Sequence, residues 1–121
     1  MHFQECPPQG KIISCIEGLI WTAILDIDTD SRSFGKWISC ELCTGSAVYI
    51  PGTYAVGTLA LEDTLFHISY ETPFAPEHSG GIRWDDKDAA VEWPAMPDII
   101  IAEKDRNLPS LSEYAQKRKR R

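Results

Sequence analysis

The sequence predicts an all-β fold of antiparallel strands, arranged as a sandwich or small barrel. Its apolar runs are short, rich in isoleucine, valine, tryptophan and threonine, and separated by turn residues at near-regular spacing. No convincing amphipathic helical pattern occurs before residue 85. The chain has 121 residues, enough for one small domain, and its 43% hydrophobic content can fill a core.

Six strands follow from the alternation of apolar and polar residues. The clearest covers residues 19–26, where every second side chain is apolar and would share one face of a sheet. Turn signals such as Glu17-Gly18 and Pro51-Gly52 separate the runs. The predicted strands are Lys11–Ile16, Leu19–Asp26, Trp37–Leu42, Ala47–Ile50, Tyr54–Leu61 and Thr64–Glu71.

The composition changes after residue 72, where prolines at positions 73, 76, 94, 97 and 109 interrupt any periodic pattern. We therefore expect a single domain over residues 1–121 with three parts. Residues 1–72 would form the barrel strands, and residues 73–110 an irregular C-terminal arm lying across them, with a possible short helix over Asp86–Val91. Residues 111–121 would form a terminal helix, Leu111–Lys119, and a basic tail.

Charge and hydropathy exclude several classes of protein. Five of the 12 basic residues are the last five, so the rest of the chain is more acidic than the net charge of -6 indicates. An acidic body argues against a nucleic-acid partner. No apolar run approaches the ~20 residues that span a bilayer, and the first residues do not resemble a signal peptide. We therefore expect a cytoplasmic protein with no membrane association.

Eight short motifs occur in an order and spacing that resemble one enzyme family. The motifs are His2-Phe3-Gln4, Gln9-Gly10-Lys11, Ser33-Phe34-Gly35-Lys36-Trp37, Tyr49-Ile50-Pro51, Ala75-Pro76-Glu77, Gly81-Ile82-Arg83-Trp84-Asp85-Asp86, Glu92-Trp93-Pro94 and Glu103-Lys104-Asp105. With these motifs the chain is similar to the C-terminal two thirds or so of the dTDP-4-dehydrorhamnose 3,5-epimerase family, which implies a cupin-type antiparallel jelly roll.

The resemblance implies an isomerase that moves protons next to the ketone of a nucleotide-linked (dTDP-type) 4-keto-6-deoxy sugar, in deoxysugar or polysaccharide biosynthesis. A neutral imidazole can remove such a proton at neutral pH, and the enolate that results needs a cation at its oxygen. By resemblance, His2 would be the base, Asp105 the carboxylate that orients it, and Lys11 the ammonium that stabilises the enolate. This chemistry needs no cofactor. The substrate-binding residues would be Gln4, Tyr70, Phe74 and Lys104.

The sequence also departs from the family pattern. Val56 stands where the family has a histidine. An ungapped match places Ile68 at the family's proton-returning tyrosine, and a one-residue gap would place Ser69 there. Water or the nearby Tyr70 could return the proton, so the chain could perform a single epimerisation or exchange a proton without inversion. The alternative is a weakly active or inactive paralogue that serves as a sugar-nucleotide binding or assembly subunit.

The family also carries a further N-terminal segment, with outer strands and an arginine implicated in holding the diphosphate, whereas this sequence starts at Met1 where the family shows leucine. Loss of those strands would expose a sheet edge, which proteins usually cover. We therefore expect a homodimer that buries the edge by strand exchange or edge pairing.

Metal sites are not expected from the spacing of the candidate ligands. Cys40 and Cys43 form one Cys-x-x-Cys pair, but a structural zinc site usually has two such pairs. We expect the four cysteines, Cys6, Cys15, Cys40 and Cys43, to be small buried hydrophobic residues. A metal-dependent cupin site would need a His-x-His pair, and none of the three histidines, His2, His67 and His78, are two residues apart.

Overall fold

The computed structural model describes residues 1–120 and contains two antiparallel sheets and two helices. The strands are β1 (His2–Gln4), β2 (Lys11–Glu17), β3 (Leu19–Asp26), β4 (Trp37–Cys43), β5 (Ala47–Ile50), β6 (Tyr54–Ala60), β7 (Leu65–Tyr70) and β8 (Ser79–Gly81). A 3₁₀ turn, Pro76–His78, precedes β8. The helices are α1 (Glu103–Arg106) and α2 (Leu111–Lys119). Arg121, the last residue of the predicted basic tail, lies outside the described residues.

The larger sheet has the strand order β4-β3-β6-β1-β8, and the smaller sheet has the order β5-β2-β7. The predicted antiparallel class is confirmed, and the six predicted strands correspond to β2 through β7 with small differences at their ends. Two strands were missed. Because β1 and β8 have three residues each, neither is long enough to show a period-2 pattern.

Two hydrophobic clusters lie on opposite faces of the larger sheet. Between the sheets, β2, β3 and β6 contribute Ile13, Ile20 and Val56 to one cluster. On the outer face of the larger sheet, Trp21 and Leu25 join a second cluster with side chains from the C-terminal arm and α2. The arm therefore packs across the larger sheet as predicted, and β3 is buried on both faces.

The predicted helix over Asp86–Val91 is absent, and the segment forms turns. Its carboxylate does behave as a cap, since Asp86 accepts hydrogen bonds from the backbone N–H groups of Asp88 and Ala89 at 3.0 and 2.8 Å. A φ of 49° at Ala90 then takes the backbone out of the right-handed helical region. The other Asp86 oxygen accepts from the N–H of Leu111 at 2.9 Å, which fixes the start of α2.

The prediction that all four cysteines are buried was only partly correct. Cys15 is buried and Cys40 is partly buried, but Cys6 and Cys43 are exposed. Alternation explains the difference within the Cys-x-x-Cys pair, because residues three apart on a strand point to opposite faces. The Cys43 thiol lies 3.2 Å from the hydroxyl of Ser46.

Candidate active site

A cavity of about 770 Å³ lies where the space between the sheets meets the C-terminal arm. Strand β1 contributes His2 to its wall, β2 contributes Lys11, β7 contributes Tyr70, and α1 contributes Lys104 and Asp105. The three side chains predicted to perform catalysis therefore line one cavity, although they come from distant parts of the chain.

The imidazole of His2 and the carboxylate of Asp105 form a short hydrogen bond, with Nε2 and Oδ1 2.7 Å apart. Burial is the main cause that lowers the pKa of His2 below its ordinary value, the N-terminal amino group acts in the same direction when it is protonated, and Asp105 opposes both. Burial also lowers the pKa of that amino group, to about 6. The ring is therefore neutral at neutral pH. Because the carboxylate can only accept, Nε2 carries the ring proton and Nδ1 is left as the basic nitrogen.

Lys11 places its ammonium against the backbone of His2. The residue is 8% exposed, and its Nζ donates to the backbone carbonyl of His2 at 3.4 Å. Burial lowers the pKa of Lys11. An ammonium has three donors, so the bond to His2 leaves two that can be directed to an oxygen in the cavity.

Beside this polar group the cavity wall is aliphatic. Val56 is the direct partner of His2 between β1 and β6, and Ile68 is the partner of Ile13 between β2 and β7. All three aliphatic side chains line the cavity. Tyr70 also lines it and is paired with Lys11, whereas Ser69, on the opposite face of β7, is not among the lining residues.

Two of the proposed substrate-binding residues, Phe74 and Lys104, also line the cavity, and Phe74 is 73% exposed. Gln4 does not line it. The Gln4 side chain is 1% exposed, and its amide group donates to the carbonyls of Pro7 and Pro73 at 3.1 Å. Its oxygen accepts from the N–H of Ala75 at 2.7 Å. Gln4 therefore ties the start of the arm to β1 and has no position from which to contact a ligand in the cavity.

Several other wall residues were not found by sequence reasoning. Trp84 and Trp93 line the cavity, and the indole N–H of Trp93 donates to the carbonyl of Trp84 at 2.8 Å. The cavity is also lined by three consecutive residues shortly before α1 in the chain, Ile99, Ile100 and Ile101. Of these, Ile100 is 94% exposed. In the sequence these isoleucines are visible only as a short apolar run without helical or strand periodicity. Such a run does not indicate which surface it packs against.

Two further features concern metals and membranes. Among residues 1–120, no three His, Cys, Asp or Glu side chains converge in a way that could hold a metal ion. Within the same range, no helix has both the length and the apolar character needed to cross a membrane.

The fold and the cavity define a cupin-type jelly roll with a histidine–carboxylate pair and a buried ammonium in its cavity. The family model described as dTDP-4-dehydrorhamnose 3,5-epimerase matches residues 1–113. The chain belongs to this family, as its motifs predicted.

Individual relatives show the same relationship. The chain is 35% identical over 117 residues to the dTDP-4-dehydrorhamnose 3,5-epimerase of Sinorhizobium fredii, covering 93% of this chain and 60% of that protein. It is 37% identical over 119 residues to the enzyme of the same name from Methanothermobacter thermautotrophicus, covering 93% and 64%. The chain thus spans about 60% of the length of the curated relatives it matches.

A solved structure supports the fold and the family. The dTDP-6-deoxy-D-glucose-3,5-epimerase of Legionella pneumophila, in complex with dTDP-4-keto-L-rhamnose, is 26% identical with a TM-score of 0.86. The similarity covers 92% of this chain and 61% of that chain. The cupin-like jelly roll is therefore confirmed.

Proposed function

We propose that the protein is an epimerase for a nucleotide-linked (dTDP-type) 4-keto-6-deoxy sugar, in deoxysugar or polysaccharide biosynthesis. The observation that carries the proposal is the 2.7 Å bond between His2 and Asp105, next to the buried Lys11, in one cavity. Membership of the epimerase family supports it, as does a similar epimerase whose structure contains dTDP-4-keto-L-rhamnose.

Each of the three side chains has a role in moving a proton next to a ketone. The Nδ1 atom of His2 removes the proton, since its neutral ring is the form that can accept one. Asp105 holds the ring in this tautomer and stabilises the imidazolium that forms. Lys11 directs its remaining donors to the oxygen that becomes the enolate, where charge develops in the transition state. The sequence of steps involves no cofactor.

Inversion of a stereocentre requires that a proton return to the opposite face of the sugar. His2 belongs to the larger sheet and Tyr70 to the smaller one, so a sugar between the sheets would have one of these groups on each side. Val56 and Ile68 carry no acidic proton. We therefore assign the return of the proton to the hydroxyl of Tyr70.

The remainder of the substrate would lie towards the mouth of the cavity. Phe74 is exposed there and can stack on the planar nucleobase, since an aromatic ring offers a flat face of matching size. Lys104 lines the same cavity and can pair with the diphosphate.

Exchange of solvent deuterium into dTDP-4-keto-6-deoxyglucose, followed by proton NMR, tests this function. The wild-type protein should exchange a proton next to the ketone, and His2→Asn should abolish the exchange. His78→Asn is the matched control, because the His78 side chain is exposed and outside the cavity. If the wild-type protein binds the nucleotide sugar but exchanges no proton, the protein is a sugar-nucleotide binding subunit and the catalytic proposal is wrong.

We also propose a cytoplasmic homodimer. All four cysteines are free thiols, which is usual in a reducing compartment. The smaller sheet exposes Ile12, Ile16 and Tyr49 on its outer face, and its edge strands are β5 and β7. A second copy that covers this sheet would remove apolar surface from water. Size-exclusion chromatography with light scattering should give twice the mass of the chain, and a stable monomer at micromolar concentration would contradict the homodimer.

A further inference from the structure

We propose that helix α2 is a positioning element for the strand that carries His2, acting through Tyr114 on Phe3 and through Arg118 on Glu5. This inference rests on the proposed function in one respect, namely that His2 has a catalytic role. Tyr114 and Arg118 lie beyond residue 113, where the match to the family model ends.

Strand β1 has a short ladder, which the two backbone hydrogen bonds between Met1 and Ile82 extend by one residue. It is three residues long, and only His2 pairs with β6, opposite Val56. On its other side it pairs with β8, which is also three residues long and forms the edge of the sheet. A strand with so short a ladder needs side-chain contacts to hold its register.

Helix α2 supplies such contacts through the side chain of Phe3. Successive residues of a strand point to opposite faces, so the Phe3 ring lies on the other face of β1 from the His2 ring, and both residues line the cavity. Phe3 is 7% exposed in the outer cluster, and its ring meets the ring of Tyr114 edge-on, with centroids 5.2 Å apart. The helix therefore packs against β1 on the face opposite the His2 side chain.

The last turn of the helix makes a second contact. Nη1 of Arg118 lies 2.9 Å from Oε1 of Glu5, the residue that directly follows β1. The backbone N–H of Glu5 also donates to the carbonyl of His78 at 3.0 Å. This bond holds the backbone from which the Glu5 carboxylate extends. The Glu5 side chain is 14% exposed and the Arg118 side chain 42% exposed, so the pair is shielded from solvent on the glutamate side only.

The opposite end of α2 is fixed independently. Ser110 and Glu113 form a reciprocal capping box, and Asp86 accepts from the N–H of Leu111. With its first turn anchored to the arm and its last turn joined to Glu5, the helix bridges the arm and β1. Shifts of the helix would thus be transmitted to the strand and to the His2 ring.

The test compares Arg118→Met with Lys117→Met, which removes one positive charge from the same turn of α2 without removing the Glu5 pair. NMR of the His2 ring reports its position without requiring any activity. In Arg118→Met the ring should become more exposed, so the pKa of His2 should rise toward its ordinary value and its Nε2 proton should exchange faster with solvent. Asp105, Lys104 and the N-terminal ammonium, which also act on that pKa, are the same in both variants.

Kinetics provide the second readout. We expect kcat to fall about two- to fivefold in Arg118→Met with KM unchanged, as for the loss of one partly buried ion pair that acts through His2. Lys117→Met should match the wild-type protein. The reversed pair Glu5→Arg/Arg118→Glu should restore both the His2 titration and kcat. If the single variant Arg118→Met folds poorly, this double variant tests whether the ion pair positions His2.

If Arg118→Met and Lys117→Met give the same His2 titration and the same Nε2 proton exchange, α2 does not position the strand. That result would leave the proposed function intact. Conversely, a protein without epimerase activity could still show the NMR difference, which would support the positioning role of α2 alone.

Discussion

The imidazole of His2 and the carboxylate of Asp105, 103 residues apart in the sequence, meet at 2.7 Å in the cavity. The first strand brings one partner and the short helix α1 brings the other. Because the arm must cross the larger sheet to deliver Asp105, correct folding of the arm is a condition for the pair to form. The pair also fixes which ring nitrogen of His2 is basic.

Replacing Asp105 with asparagine should reduce kcat about 100-fold or more, since a histidine base in the wrong tautomer or orientation loses most of its effect. Asp105 raises the pKa of His2 against the effect of burial, so that pKa should fall further in the variant. NMR titration of the ring and steady-state kinetics measure both changes. Asp63→Asn, on an exposed turn, is the control and should behave as wild type.

The pH dependence of the reaction should reflect the lowered pKa of His2. Only the neutral ring accepts a proton, so kcat/KM should rise with pH through an apparent pKa below the ordinary value of 6.5 and then stay level through neutral pH. A rise centred well above 6.5 would show that another group is the base.

Lys104→Gln should shift the rise of kcat/KM at acid pH to higher pH. The ammonium of Lys104 lowers the pKa of His2, so its removal raises that pKa. The shift is measured from kcat/KM profiles, and a change in KM reports the separate proposal that Lys104 binds the diphosphate. Lys87→Gln is the control, because Lys87 is exposed and does not line the cavity. A rise at the wild-type pH in Lys104→Gln would mean that the two side chains are not electrostatically coupled.

Gln4→Leu should lower stability much more than it changes substrate binding. The Gln4 amide satisfies the carbonyls of Pro7 and Pro73 and the N–H of Ala75, and leucine would leave these groups without their partner. We expect a loss of about 2–4 kcal/mol in the free energy of unfolding, measured by urea denaturation. Gln116→Leu, on the exposed side of α2, should change stability little. A large rise in KM with unchanged stability would instead show that Gln4 binds the substrate.

The sequence predicted the fold more fully than the site, for a physical reason. Strands such as β3 show their period because burial selects apolar side chains at fixed intervals. The arm has no such period, and its position depends on contacts such as the bond from the indole of Trp93 to the carbonyl of Trp84. The carboxylate of Asp86 made a helix plausible, but the backbone conformation of Ala90 depends on how the arm packs and cannot be read from local propensity.

The site residues were proposed by resemblance, and the structure shows where resemblance was insufficient. His2, Lys11 and Asp105 come together in the cavity, whereas Gln4, two residues from His2, is used to hold the chain. Alternation along β1 predicts that His2 and Gln4 share a face of the strand, but it does not predict that both bind substrate. The partner of a buried amide is decided by tertiary contacts, here with the turn after β1 and the start of the arm.

Tyr70→Phe should separate proton exchange from inversion. His2 can still remove a proton and return it from the same side, so deuterium exchange should continue at a rate within about threefold of wild type, while formation of the epimer should fall about 100-fold, as for loss of a general acid. Proton NMR in deuterated buffer measures both reactions in one sample. Tyr49→Phe, whose ring lies on the outer face of the smaller sheet, is the control. Since Val56 and Ile68 cannot supply the second proton, unchanged epimer formation in Tyr70→Phe would assign that step to water, and loss of both reactions would assign Tyr70 a part in substrate binding.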